Sequence, residues 1–277
     1  MQVAIGTYDH TKGLKDGSVK APELSFDFVE VSPITRAFRG MAVSQAYDVA
    51  EMAMVTYMLA RTYNKPVVGL PIVLVRSSLL PGLVTAEGSS ITDPKELEGK
   101  TLGVRSYTQT SAVWVRGIIQ DHFGVDLSKL KWTTFEGAHL DEYTDPSNTS
   151  RAPEGANMAE MVKSGELAAA IGVPAGDGLR SLVPNAAAAE QEWAQKSGIR
   201  TVNHILTLKQ SLVDADPGLP ARLTGLFQEA RGANGASVPP IGIEPNRPAF
   251  EALARYAHEQ GITPHVFTMQ ELFPYSS

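Results

Sequence analysis

The sequence predicts an α/β protein with mostly parallel sheets, and three observations carry that prediction. Short apolar strands alternate with amphipathic helices along the whole chain. The 277 residues, 43% hydrophobic and 19% charged, suit one large domain or two lobes. No stretch approaches the roughly 20 apolar residues of a membrane span. The longest apolar run, Val67 to Val75, is interrupted by Gly69 and Pro71 and reads as a buried strand.

Taken in order, Val3 to Thr7 is a short strand and Tyr8 to Gly17 a polar loop. Leu24 to Val31 alternates and reads as a second strand. Ser32-Pro33 offers an N-cap and an N1 proline for a helix with the stripe Ile34, Ala37, Phe38 and Met41. Asp48 to Met52 is a brief strand, Val55 to Arg61 a short helix, and Leu83 to Glu87 an extended segment. Thr101 to Arg105 leads into a helix from about Ser111 to Phe123, with Ala112, Val115, Ile119 and Phe123 on one face. Lys131 to Phe135 is a strand, and Gly137 to Gly155 a long polar loop. Asn157 and Glu160 have capping-box spacing before a helix that Gly165 closes. Leu167 to Gly172 is a strand, Ala186 to Lys196 a helix, and Asn203 to Leu208 a strand. Asp216-Pro217 caps a helix carrying Leu219, Leu223, Leu226 and Phe227. Gly232 to Gly242 is linker-like. The last clear helix begins at Arg247-Pro248 and stops at Gly261.

Charge and cysteine content narrow the function classes. The net charge is −6 and the basic residues are scattered, which argues against nucleic acid as a partner. The absence of cysteine excludes disulfides, thiolate nucleophiles and Cys-zinc sites. Gln2 to Gly6 reads as a first strand and not as a signal peptide, so a cytoplasmic location is expected. An exported binding protein without its signal would read the same. His139 lies near Asp141 and Glu142, but their spacing matches no standard ligand pattern. No cofactor is expected, with a divalent metal left open. His122, His258 and His265 read as surface residues, and Trp114 as core or as the border of an aromatic ligand.

Five segments resemble the 4,5-dihydroxyphthalate decarboxylase-like family. They are Tyr8-Asp9-His10-Thr11, Tyr47 to Met52, Gly103 to Gly117 (GVRSYTQTSAVWVRG), Arg151 to Ile171 and Glu244 to Gly261. They follow one another over most of the chain, and the third is the most specific. The resemblance implies the type II periplasmic-binding-protein-like fold, with two α/β lobes and a ligand cleft between them. Lobe 1 would be residues 1–86 plus 204–277, and lobe 2 the inserted 87–203. The stretch before Glu244 is shorter here than the family pattern implies, which separates the fold expectation from the substrate expectation.

In that architecture ligands sit at strand C-terminal ends, facing helix N-termini. Tyr8 and Thr11 follow the first strand, Glu51 to Met54 the third, and Pro174 the strand of the inserted lobe. Arg105, Ser106, Thr108, Thr110 and Ser111 form a strand-to-helix turn. Backbone N–H groups there favour an anion, hydroxyls add donors, and the Arg105 fork suits a carboxylate. The alternative is that a threonine caps the helix and Arg105 pairs with a surface acid. His10, Glu51 and His204 are the candidate acid and base. For each, a plain role stays open: an exposed His10, a structurally paired Glu51, a core His204. The expected activity is cofactor-independent decarboxylation of an aromatic, dihydroxyphthalate-like acid. The alternative is a solute-binding protein that delivers a small carboxylate to a transporter. A homo-oligomer is compatible with either.

Overall fold

β1 (Gln2–Ala4) opens the first sheet, and the loop after it contains one helical turn, α1 (Lys12–Lys15), pinned by buried Leu14. The structure is a computed structural model that describes residues 1–21, 23–232 and 238–276. The expected strand at Leu24 to Val31 narrows to β2 (Asp27–Phe28), because its only ladder partner is the three-residue β1. α2 spans Arg36–Ser44, so it starts after Ser32-Pro33 and takes Thr35 as N-cap. Residues 33 to 37 make i→i+3 bonds there (Arg36 N to Pro33 O, Ala37 N to Ile34 O), a tight turn that delays the α-helix. β3 (Val49–Ala53), α3 (Met54–Thr62) and β4 (Val67–Val75) follow as the pattern predicts.

The second sheet opens with β5 (Leu83–Ala86) and β6 (Thr101–Val104), followed by α4 (Thr110–Phe123) and β7 (Lys131–Thr134). The polar stretch after β7 is not all loop. β8 (Thr149–Arg151) adds a strand to the edge of β7, and an edge strand can be polar because water covers it. α5 (Met158–Lys163) is capped as its spacing predicts, with Asn157 Oδ1 accepting from Glu160 N at 3.1 Å. β9 (Ala169–Ile171), β10 (Leu179–Ser181) and α6 (Ala186–Ser197) come next. β11 (His204–Lys209) returns to the first sheet, followed by α7 (Gln210–Ala215), α8 (Leu219–Arg231), α9 (Arg247–Glu259) and α10 (Met269–Leu272). The linker-like reading of Gly232 to Gly242 falls partly on residues 233–237, which lie outside the described residues.

The chain divides into two units. One comprises Met1–Arg76, Val202–Arg255 and Thr263–Ser277; the other comprises Ser77–Thr201 and Tyr256–Ile262. The sequence boundary at residue 86 differs from this because β5 bonds to β9 and β10, which places it in the second sheet. The first sheet runs β2-β1-β3-β11-β4 and the second β10-β5-β9-β6-β7-β8. Each sheet has one reversed strand, β11 in the first and β5 in the second. In the first unit Val3, Val49, Val68, Leu70, Leu206 and Leu208 pack with Leu219, Leu223 and Phe227 of α8. In the second, Val84 and Ala170 pack with Val162, Leu167 and Leu179. Among the described residues, no helix is long and apolar enough to cross a membrane.

Candidate active site

Three residues singled out in the sequence meet in the first unit around one carboxylate. Glu51 is fully buried. Its Oε1 accepts from the Tyr8 hydroxyl at 2.8 Å and lies 2.6 Å from His204 Nδ1, while its Oε2 accepts from Gly6 N at 2.9 Å. A buried carboxylate is tolerated only when its lone pairs are met by donors, and three donors converge here.

The local chain explains the convergence. Gly6 has no side chain, and a Cβ there would collide with the Tyr8 phenol. The missing atom lets the ring fold back over Gly6 toward Glu51. Thr11 holds that fold: its Oγ1 accepts from Tyr8 N at 2.8 Å and donates to Gly6 O at 2.8 Å. His204 arrives from the other direction. The antiparallel register pairs Glu51 with Leu206 and Ala53 with His204, so Glu51 and His204 are diagonal neighbours on one face. Phe38 of α2 meets the His204 ring edge-on at 4.8 Å and fixes its plane.

These contacts assign protons. Burial, reinforced by the Glu51 charge and hydrogen bond, pushes the Tyr8 phenol above its usual range, so it stays a donor. With Nδ1 of His204 facing Glu51, Nε2 is the ring nitrogen left for proton transfer. The His204 side chain is 17% exposed, so that nitrogen belongs to a group within reach of solvent. His10 stacks on Tyr8 at 5.3 Å, with planes 12° apart. Its Nε2 lies 3.1 Å from Leu74 O, which only accepts, so Nε2 carries the hydrogen and Nδ1 keeps its lone pair. Burial is the largest influence on His10 and moves its pKa below the usual histidine value.

The second unit carries the strand-to-helix turn. Gln109 N donates to Ser106 O at 3.1 Å, and the Ser106 and Thr108 hydroxyls lie 3.2 Å apart. Ser106, Thr108 and Thr110 are buried. The N-cap of α4, Gln109, makes no capping hydrogen bond with its side chain. The helix N-terminus therefore keeps its positive end uncapped by that residue, the condition for anion binding. Gln109 Nε2 donates to Ser111 Oγ at 2.8 Å, while its buried Oε1 meets no donor. Arg105 Nη1 pairs with Glu136 Oε2 at 2.8 Å, so a ligand carboxylate would share this guanidinium with Glu136.

The other expected ligand contacts fall differently. Thr11 and Met54 are fully buried, Thr11 as the brace just described and Met54 at the start of α3. Pro174 is exposed in the turn after β9. A groove of about 590 Å³ in the second unit is lined by Thr85, Lys100, Lys163 and Gly178 among others, and by none of the expected site residues. Among the described residues, no three His, Cys, Asp or Glu side chains gather as metal ligands would. Sequence reasoning passed over Gly6 and Gln109. A Gly two residues before Tyr8 is the only trace of the first, and glutamine at an N-cap gives no signal for the second.

The two sheets and their helices form a two-unit α/β fold of the periplasmic-binding-protein kind. The aliphatic sulphonate binding protein SsuA of Escherichia coli shares that fold, with a TM-score of 0.54 and 10% identity over 93% of this chain and 78% of that one. So does a ligand-binding component of an ABC-type import system from Staphylococcus aureus, with a TM-score of 0.54 and 9% identity over 100% of this chain and 98% of that one. In sequence, the chain is similar to two proteins named 4,5-dihydroxyphthalate decarboxylase. The one from Comamonas testosteroni is 24% identical over 252 residues, covering 83% of this chain and 74% of the relative. The one from Pseudomonas putida is 26% identical over 180 residues, covering 62% and 69%. No protein-family model matches the chain.

Proposed function

We propose that this protein is a decarboxylase of an aromatic, dihydroxyphthalate-like carboxylic acid. The observation that carries the reading is the Tyr8–Glu51–His204 cluster, a buried carboxylate orienting an imidazole that solvent can reach. A protein that only holds a solute has no need of an imidazole so oriented. The names of the two relatives supply the substrate class.

The chemistry needs little beyond proton transfer. A hydroxyl para to the leaving carboxylate loses its proton, and its electrons push into the ring. The ring carbon that bears the carboxylate takes up a proton. The C–CO₂ bond then breaks, CO₂ departs, the bond electrons restore the aromatic ring, and the phenolate oxygen so formed takes its proton back from the base. The net change is one proton consumed for each CO₂ released. His10, kept neutral by burial, suits the base that takes the phenol proton. His204, held on Glu51 through Nδ1, suits the acid that delivers a proton to carbon. Glu51 touches Gly6, Tyr8 and His204 and acts through them. The second unit, taken by itself, offers the Arg105 to Ser111 turn, an element suited to binding a carboxylate. The Gln109 Oε1 is an acceptor suited to a ring hydroxyl.

The test is incubation of the purified protein with 4,5-dihydroxyphthalate while CO₂ and 3,4-dihydroxybenzoate are followed. Stoichiometric appearance of both supports the reading. Tight binding with no CO₂, with or without added divalent metal, would refute decarboxylation and favour a solute-binding role.

A further inference from the structure

Arg116 is the one fully buried guanidinium described in the second unit, and the proton chemistry proposed above makes no use of it. It sits on α4, less than two turns past the N-terminus, and reaches back toward the turn that precedes the helix. Its Nη2 donates to Tyr107 O at 2.6 Å. Its Nε donates to Gln260 Oε1 at 2.6 Å, and Gln260 Nε2 donates in turn to Val113 O at 3.0 Å. The Tyr107 hydroxyl donates to Gln260 O at 3.2 Å. The guanidinium lies 4.1 Å from the centre of the Tyr107 ring and 5.1 Å from that of Trp132. Tyr107 is thus held by its carbonyl, its ring face and its hydroxyl, in the middle of the Arg105 to Ser111 turn.

The charge itself has no close counterpart. Among the described residues, no carboxylate forms an ion pair with Arg116, and Nη1 has no hydrogen-bond partner. Asp145 acts on it only from a distance and is engaged with Thr134 at 3.4 Å and Arg151 at 3.8 Å. Burying an unpaired cation is costly, and two charge-assisted bonds with two ring faces offset only part of the cost. If Arg116 served packing alone, a neutral side chain of similar volume would serve better.

We infer that Arg116 is a positioning residue for carboxylate recognition: it fixes the backbone of the Arg105 to Ser111 turn and places an uncompensated positive charge behind it. The inference rests on the decarboxylase reading for the identity of the anion. Its field adds to that of the α4 N-terminus, so an anion at the turn is favoured by both.

The test uses phthalate, which lacks the hydroxyls that drive decarboxylation, as a binding probe, and 4,5-dihydroxyphthalate for kinetics. In Arg116→Gln the phthalate Kd and the KM rise about ten-fold or more, while kcat stays within about three-fold. Gln260→Glu sets a carboxylate beside Nε and neutralises Arg116 in place, and it weakens phthalate binding in the same direction. Unfolding midpoints establish that each variant is folded. If folded Arg116→Gln binds phthalate as the wild type does, the inference falls; if that variant does not fold, wild-type binding by Gln260→Glu overturns it instead. In either case wild-type turnover leaves the decarboxylase reading standing. A wild-type protein that neither binds phthalate nor releases CO₂ overturns both.

Discussion

Replacing Glu51 by Gln changes one atom at the centre of the cluster, and the structure permits its effect to be worked out. The carboxylate meets three donors and no acceptor. A glutamine amide can keep its oxygen toward Tyr8 and His204, but its NH₂ then faces Gly6 N–H, donor against donor. The reverse orientation opposes two donors and is worse. Two bonds to a charged acceptor become neutral ones, a loss of about 1 kcal/mol each, and an unsatisfied buried donor costs a further ~1–3 kcal/mol. Relief of the buried charge returns part of this, leaving a net loss of about 2–4 kcal/mol. At about 2–4 °C per kcal/mol for a chain of this size, the unfolding midpoint falls by roughly 4–16 °C. Without its carboxylate, His204 loses its orientation, so kcat falls by about 10²-fold or more. Differential scanning calorimetry and a CO₂-release assay measure the two quantities. A Glu51→Gln variant that melts within about 2 °C of wild type and keeps kcat within about threefold would refute the reasoning.

Three further outcomes are expected. Because burial lowers the His10 pKa, the unfolded chain binds more protons near pH 6 than the folded one. The stability this group contributes is complete above the unfolded value of about 6.5 and is lost as pH falls toward the folded one. Thermal melts across that window should show wild type losing more on acidification than His10→Asn, and parallel curves would contradict this. Arg105→Ala breaks only a partly exposed ion pair with Glu136, so stability changes by less than about 1 kcal/mol. Its KM rises if the guanidinium also holds substrate, and an unchanged KM assigns Arg105 to Glu136 alone. Gly6→Ala drives a methyl into the Tyr8 phenol and moves the hydroxyl off Glu51. The overpacking costs about 1–3 kcal/mol, and kcat falls although no titratable group has been altered.

The sequence made the alternation of strands and helices legible because period-2 and period-3.6 patterns are local. α4, α8 and α9 lie close to where their stripes place them. β8 and β10 escaped notice because three-residue edge strands have no apolar pattern to show. Glu51, His204 and His10 were visible as polar residues beside apolar strands. The bonds among Tyr8, Glu51 and His204 were not, since they depend on strand register and on an atom that Gly6 lacks. The pairing of Arg105 with Glu136 spans 31 positions, and no spacing rule connects them. Arg116 was hidden for the opposite reason: an arginine on a helix reads as a surface residue, and only its fully buried position sets it apart.

The reversed strand β11 has a consequence in time. It lies between β3 and β4, so those two strands cannot complete their pairing until residues 204–209 have been synthesised. Every strand of the second sheet, from Leu83 to Ser181, is synthesised before then. The inserted unit can close its sheet while the first still presents two open edges, the exposure that invites misassembly in nascent chains. When β11 enters, it closes both edges at once and brings His204 to Glu51. Sheet completion and assembly of the Glu51–His204 contact are therefore the same event, and a nascent chain halted before it has neither.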